Sequence, residues 1–167
     1  MKTKRLVFYA LCVSVAMVLS YVESLIPFGI GVPGAKVGLP NIVTVLLLYT
    51  VGPLPAAVVS AVRIVLTGFM FGNLFSILYS ASGFVLSLLV MSVLKRLDIF
   101  GVTGVSAAGG VFHNVGQLIM AACIAGRYVW AYMPVLLVAG VIAGVVIGVA
   151  GGMITGRLRT ALRFMWQ

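Results

Sequence analysis

Acidic residues are nearly missing from this chain: 167 residues hold two, Glu23 and Asp98, against eleven lysines and arginines. Two acids are too few for hydrolysis by a carboxylate pair or for a magnesium cluster built from several oxygen ligands. Histidine occurs once, at His113, and the two cysteines, Cys12 and Cys123, form neither a CxxC pair nor a Cys/His cluster. No metal site and no cofactor are therefore expected. A Gly-x-x-x-x-Gly-Lys-Ser/Thr loop is absent, which removes the usual cradle for ATP phosphates. No Ser/His/acid or Cys/His set is recognisable, so the chain alone is not expected to be an enzyme. Charge of either sign is scarce, at 8% of residues against about 25% in soluble domains.

What fills the chain instead is apolar: 63% of residues are hydrophobic and the mean hydropathy is +1.27. The long runs divide into six expected spans, Leu6–Ile26, Val37–Val51, Pro53–Met70, Asn73–Leu94, Thr103–Ala125 and Met133–Thr155. The pattern predicts an all-α, polytopic membrane protein forming one six-helix domain over residues 1–167. With the N-terminus in the cytoplasm, Lys2, Lys4, Arg5, Lys95, Arg96, Arg157, Arg159 and Arg163 stay inside, Lys36 and Arg127 fall outside, and Arg63 lies within a span. Short cytoplasmic loops retain Lys and Arg during insertion, so this asymmetry supports both the span count and an orientation with both termini inside. The net charge of +9 is explained by topology and anionic headgroups, and nucleic-acid binding is not expected. The basic start and apolar run of span one mimic a signal peptide, but no small-x-small cleavage site closes the run, and it reads as a retained span.

Between spans one and two, Phe28–Lys36 is rich in glycine and proline and reads as a shaped external loop. Span two, at about 15 residues, is short for a crossing, so the loop is expected to dip into the protein. Span six carries glycine every fourth residue, at Gly140, Gly144, Gly148, Gly152 and Gly156. Small residues at that spacing let a second helix approach closely, either within the chain or from a partner. The four-residue step drifts against the ~3.6-residue turn, so the stripe winds around its helix and one straight neighbour does not cover it all.

Depth along the spans gathers polarity in the outer half: Glu23 near the end of span one, Lys36 in the loop, Asn41 early in span two, and Asn73, Ser76, Tyr79 and Ser80 in span four. Gln117 and Arg127 join them from span five, with His113 and Asn114 deeper, and Arg63 near mid-depth in span three. Ionisable groups inside a membrane are costly and by default mark a pathway or a binding site. Bland readings stand beside that one. Arg63 could pair structurally with Glu23, Lys36 and Arg127 could be interface anchors, His113 a core histidine, and Tyr79 a bond to helix backbone. If the cluster is a site, its cations outnumber Glu23, which favours a ligand bearing a carboxylate or phosphate with an apolar body.

The stretches Lys36-Val-Gly-Leu-Pro-Asn-Ile-Val, Gly52-Pro-Leu-Pro to Arg63, Gly72-Asn73 and Phe112-His-Asn-Val-Gly-Gln117 resemble a bacterial membrane family. Its members are called "Gx transporter" and "heptaprenyl diphosphate synthase component I". Prenyl synthases hold magnesium-diphosphate with paired Asp-rich motifs, and Asp98, the only aspartate, cannot supply them. More distantly the layout is similar to the substrate-binding (S) component of energy-coupling factor transporters. Lys36, Pro40-Asn41 and Gly52-Pro53 fall where that group has its helix-two entry and its turn into helix three. The resemblance implies capture of a small molecule from the outer side of a bacterial cell membrane, with a membrane coupling subunit and cytoplasmic ATPases as partners. It also implies a small-residue face on helix one for the coupling subunit. Ala10-x-x-x-Ser14, with Ala16 following Cys12 four residues on, approximates that face without matching the strict motif. The alternatives are a non-catalytic membrane subunit that recruits an isoprenoid, quinone-pathway or flavin-redox partner through its basic face, and a solitary facilitator.

Overall fold

The computed structural model describes the backbone of residues 2–26 and 38–165, with side chains over 3–26 and 38–158. Six α-helices follow in order, α1 (Lys2–Leu25), α2 (Asn41–Thr50), α3 (Pro53–Phe71), α4 (Leu74–Leu97), α5 (Val102–Ala125) and α6 (Met133–Met165). A 3-10 turn, Arg127–Tyr132, leads into α6, and among the described residues there is no strand. Every helix except α2 is long and apolar enough to cross a membrane. The expected loop Phe28–Lys36, and Lys36 with it, lies outside the described residues.

The second expected span is corrected by the structure. It is not a crossing helix: α2 has ten residues, about 15 Å at ~1.5 Å per residue, half of a hydrocarbon core of about 30 Å. The cause is local. Gly38 sits at φ +76 and Pro40 is the residue before the first helical turn, so the backbone cannot run straight upward as helix. The remaining helix is apolar on every side, and such a helix belongs in an interior. Val45, Leu47 and Leu48 are 1%, 0% and 0% exposed, and they centre the core together with Cys12, Ala16, Ala56, Val59, Met91, Val105 and Ile147.

Contacts between side chains fix the directions. Thr44 and Ser60 share a buried hydroxyl–hydroxyl bond of 2.8 Å between α2 and α3, and Lys95 donates from the end of α4 to the Leu48 carbonyl near the end of α2. The same ammonium stands 5.2 Å from the Tyr49 ring centroid. A cation at this position satisfies a carbonyl of the last helical turn and complements the negative end of the helix dipole. The C-termini of α2 and α4 therefore share one end of the bundle, where Lys95 and Arg96 also close α4.

Glycines set how closely the long helices pack. A Cβ on Gly110 would lie 2.2 Å from the Gly140 carbonyl oxygen, one on Gly144 2.5 Å from that of Ser106, and one on Gly148 2.7 Å from the Thr103 Cα. Gly140, Gly144 and Gly148 thus bring α6 onto α5 backbone to backbone. The stripe then leaves the contact: a Cβ on Gly152 would meet Val102 at 3.7 Å, and one on Gly156 would meet nothing within 4 Å among the described residues. On the other side of α5, Gly116 lies against the Ser82 carbonyl and Gly83 against that of His113, joining α5 to α4. Helix α1 packs against α3 and makes a smaller contact with α2.

Candidate functional site

The break before α2 lies beside a space at the end of the bundle where α1 finishes and α2 begins. In a bilayer, backbone that is neither helix nor sheet is tolerated only where protein buries it or a cavity solvates it. Here both occur. Glu23, 9% exposed near the end of α1, accepts the backbone N–H groups of Gly38, through a short bond, and of Leu39, at 3.3 Å, both to Oε1. The remaining first-turn donors are met by a tight turn, with Asn41 N–H to Gly38 O at 2.8 Å, Ile42 to Leu39 at 3.2 Å and Val43 to Pro40 at 3.1 Å. Glu23 is thus an acid placed near the positive end of a buried short helix, bonded to the two backbone donors of the turn that leads into it.

Beside this tether lies a cavity of about 130 Å³. Its walls come from α1 (Ser20, Glu23, Ser24), the entry to α2 (Gly38, Pro40, Asn41), α3 (Arg63, Thr67), α4 (Ser76, Ser80), α5 (Gly110, His113, Asn114, Gln117) and α6 (Gly140, Ala143, Ile147). Arg63 dominates it electrostatically. The side chain is 8% exposed, and it sits near the middle of α3, where an arginine costs about 3 kcal/mol to insert on translocon scales. Glu23 is near enough to act on it electrostatically. Among the described residues, however, its guanidinium makes neither an ion pair nor a hydrogen bond. A planar cation with five donors, buried and facing a polar cavity, is suited to a carboxylate or phosphate.

The amides and hydroxyls around it are unequally committed. Asn114, 7% exposed, donates its amide to the Leu136 carbonyl at 2.6 Å, tying α5 to α6 and leaving its own oxygen as an acceptor. Ser20 donates to Ala16 O at 2.9 Å and Thr67 to Arg63 O at 2.8 Å, so both are occupied by their own helices. Gln117 and His113 lie over Gly83, where an added Cβ would come within 2.9 Å of Gln117 Cγ and 3.0 Å of His113 Cε1.

The structure therefore gathers Glu23, Asn41, Arg63, His113, Asn114 and Gln117 around one space, and it separates others. Asn73 is exposed and caps α4, accepting from the Ser76 N–H at 2.9 Å and hydroxyl at 3.1 Å. Arg127 is exposed in the 3-10 turn before α6, its guanidinium 5.9 Å from the Tyr128 ring. Tyr79 lines a second, smaller space of about 80 Å³ with Leu118, Ala121, Val129, Tyr132, Leu136 and Gln117. On α1, Ala10 and Ser14 face outward, bonded to each other through Ser14 Oγ and Ala10 O at 3.0 Å. Ala16, at 2% exposure, packs into this chain's own core and has no surface to offer a partner. Sequence reasoning missed Ser20, Ser24, Thr67, Gly110 and Gly140. The signal for two of them was present, since Ser20 and Thr67 stand three residues before Glu23 and four after Arg63, on shared helix faces.

The sequence model of the family described as heptaprenyl diphosphate synthase component I matches residues 12–154, most of the chain, and the protein belongs to that family. Neither the curated proteins nor the solved structures contain a match. With five helices able to cross a membrane and a family match spanning them, this is a multi-pass membrane protein.

Proposed function

We propose that this member of the heptaprenyl diphosphate synthase component I family is the ligand-capturing subunit of a small-molecule uptake system in the bacterial cell membrane. Both termini lie in the cytoplasm, and the ligand, bearing a carboxylate or phosphate, enters from the extracellular side. The observation that carries this reading is Arg63, a buried cation near mid-helix that lines a polar cavity and has no anion bonded to it among the described residues. A structural arginine at such depth is expected to be bonded to an acid, and the nearby acid, Glu23, is bonded to backbone instead. The absence of Asp-rich motifs speaks against a catalytic role. The similarity to transporter S components supplies the partners, a membrane coupling subunit and cytoplasmic ATPases.

A second reading rests on the family's description, which names one component of something with more parts. In it the protein is a non-catalytic anchor, and the exposed Lys4, Arg96 and Arg157 recruit an isoprenoid-pathway, quinone-pathway or redox enzyme. Isolation from native membranes in mild detergent, with partners identified by mass spectrometry, separates the two. Recovery of a coupling subunit with ATPases supports uptake; recovery of a prenyltransferase or redox protein, unaffected by Arg63→Gln, overturns it.

A further inference from the structure

The polar cavity and the smaller space beside it have Gln117 in common. Their chemistries differ sharply. Arg63, Glu23 and the amides face the first, whereas Leu118, Ala121, Val129 and Leu136 with two tyrosine rings enclose the second. The second space lies between α4, α5, the outer 3-10 turn and the start of α6. Its inner wall is Leu118 at 4%, Ala121 at 7% and Leu136 at 7% exposure, and Tyr132, at 41%, stands at its open rim. Gln117 is held at the junction because Gly83 leaves room for its stem against α4.

Building on the capture reading, we infer that the two spaces are one bipartite site for a small amphipathic anion. A carboxylate or phosphate head sits beside Arg63, and a short aliphatic arm passes Gln117 into the Leu118–Ala121–Leu136 chamber. Size limits the arm. An apolar cavity of about 150 Å³ accommodates benzene, so a chamber of roughly half that volume takes about three or four carbons. A fused ring system or a long prenyl chain does not fit it. The head is defined by its charge and not by its source, and either anion meets the same guanidinium.

The test uses the full-length protein in lipid nanodiscs and reads the concentration dependence of thermal stabilisation. The probes are the straight-chain carboxylates from acetate to octanoate, and inorganic phosphate against propyl and butyl phosphate. Affinity is expected to rise about fourfold per added methylene, to level off after three or four, and to collapse for every probe in Arg63→Gln. Ala121→Leu, which fills the chamber, should retain acetate binding and lose the chain-length gain. Leu118→Ala, which enlarges the chamber, should move the plateau to longer chains. Because lipid partitioning is the same for all variants, a gain that survives Ala121→Leu overturns the proposal. So does Arg63-dependent binding of acetate or phosphate with no gain from chain length, an outcome that leaves the capture reading standing. If no probe stabilises the wild-type protein, the capture reading and this inference fall together.

Discussion

Two helical glycines, Gly110 and Gly156, make opposite predictions that the packing distinguishes. Adding a methyl group to Gly110 puts a carbon 2.2 Å from the Gly140 carbonyl oxygen and 3.1 Å from the Gly144 Cα. Both obstacles are backbone, so no side-chain rotation relieves them, and α6 must retreat by about 1 Å to restore ordinary contact at roughly 3.5 Å. Overpacking of this kind costs up to about 3 kcal/mol, against which the better helix propensity of alanine returns about 1. Gly110→Ala should therefore destabilise by about 2 kcal/mol, or about 4–8 °C in melting temperature for a chain of this size. Gly156→Ala, where an added Cβ meets nothing within 4 Å among the described residues, should be neutral or stabilising by up to about 1 kcal/mol. Thermal unfolding of both variants in one detergent decides the matter. Equal effects at the two positions, or a Gly110→Ala protein as stable as the parent, would refute the close α5–α6 contact.

Gly38→Ala should destabilise the entry to α2, because φ is +76 and the new methyl would meet Asn41 Nδ2 at 2.9 Å; limited proteolysis should detect new cleavage near residue 38, at a cost of about 1–3 kcal/mol. Asn114→Leu should cost only about 0.6 kcal/mol, the average for interhelical hydrogen bonds within membranes, measured as a small change in unfolding midpoint. Lys95→Met should cost about 1–3 kcal/mol through the Leu48 carbonyl that loses its charged donor, seen as a lowered melting temperature. Glu23→Gln keeps an oxygen for the Gly38 and Leu39 N–H groups, whereas Glu23→Ala orphans both. If Glu23 acts as the cap of α2, the alanine variant should melt well below the glutamine variant, and equal melting temperatures would instead make it chiefly the counter-charge of Arg63.

The five long helices were legible because their predominantly apolar stretches match the length of a bilayer crossing, and their turns were signed by residue type. Gly52-Pro53 became a glycine at φ +124 followed by a proline at the first helical position of α3, and Asn73 became the cap of α4. The length of α2 was only half legible. Its hydrophobic run suggested a crossing, and only the conjunction of Gly38, Pro40 and the burial of Val43–Leu48 shows why helix begins at Asn41. Site membership was predicted by depth, which is one coordinate of three. Depth put Arg127, Tyr79 and Asn73 level with Gln117, but it carries no information on rotation about a helix axis. Rotation is what turns Arg127 outward and Tyr79 toward the neighbouring chamber. Likewise, Gly140 looked like a packing residue and, with Gly110 opposite it, is also cavity wall, because close helix approach and open space are adjacent consequences of a missing side chain.

The use made of Glu23 bears on reversibility. An arginine fully paired with a carboxylate offers an incoming anion little, since the new contact must break an existing one. An arginine with no acid nearby leaves an uncompensated charge at mid-depth whenever the ligand departs, and insertion of the chain then carries the whole cost of about 3 kcal/mol. Bonding Glu23 to the α2 backbone while it still acts on Arg63 from a distance lies between these limits. The charge of Arg63 is partly compensated, and its guanidinium donors make no hydrogen bond among the described residues. On the capture reading, this intermediate arrangement is what lets one cation both bind and release an anion inside a membrane. It also explains why a chain with two acids positions one of them at the start of a half-helix.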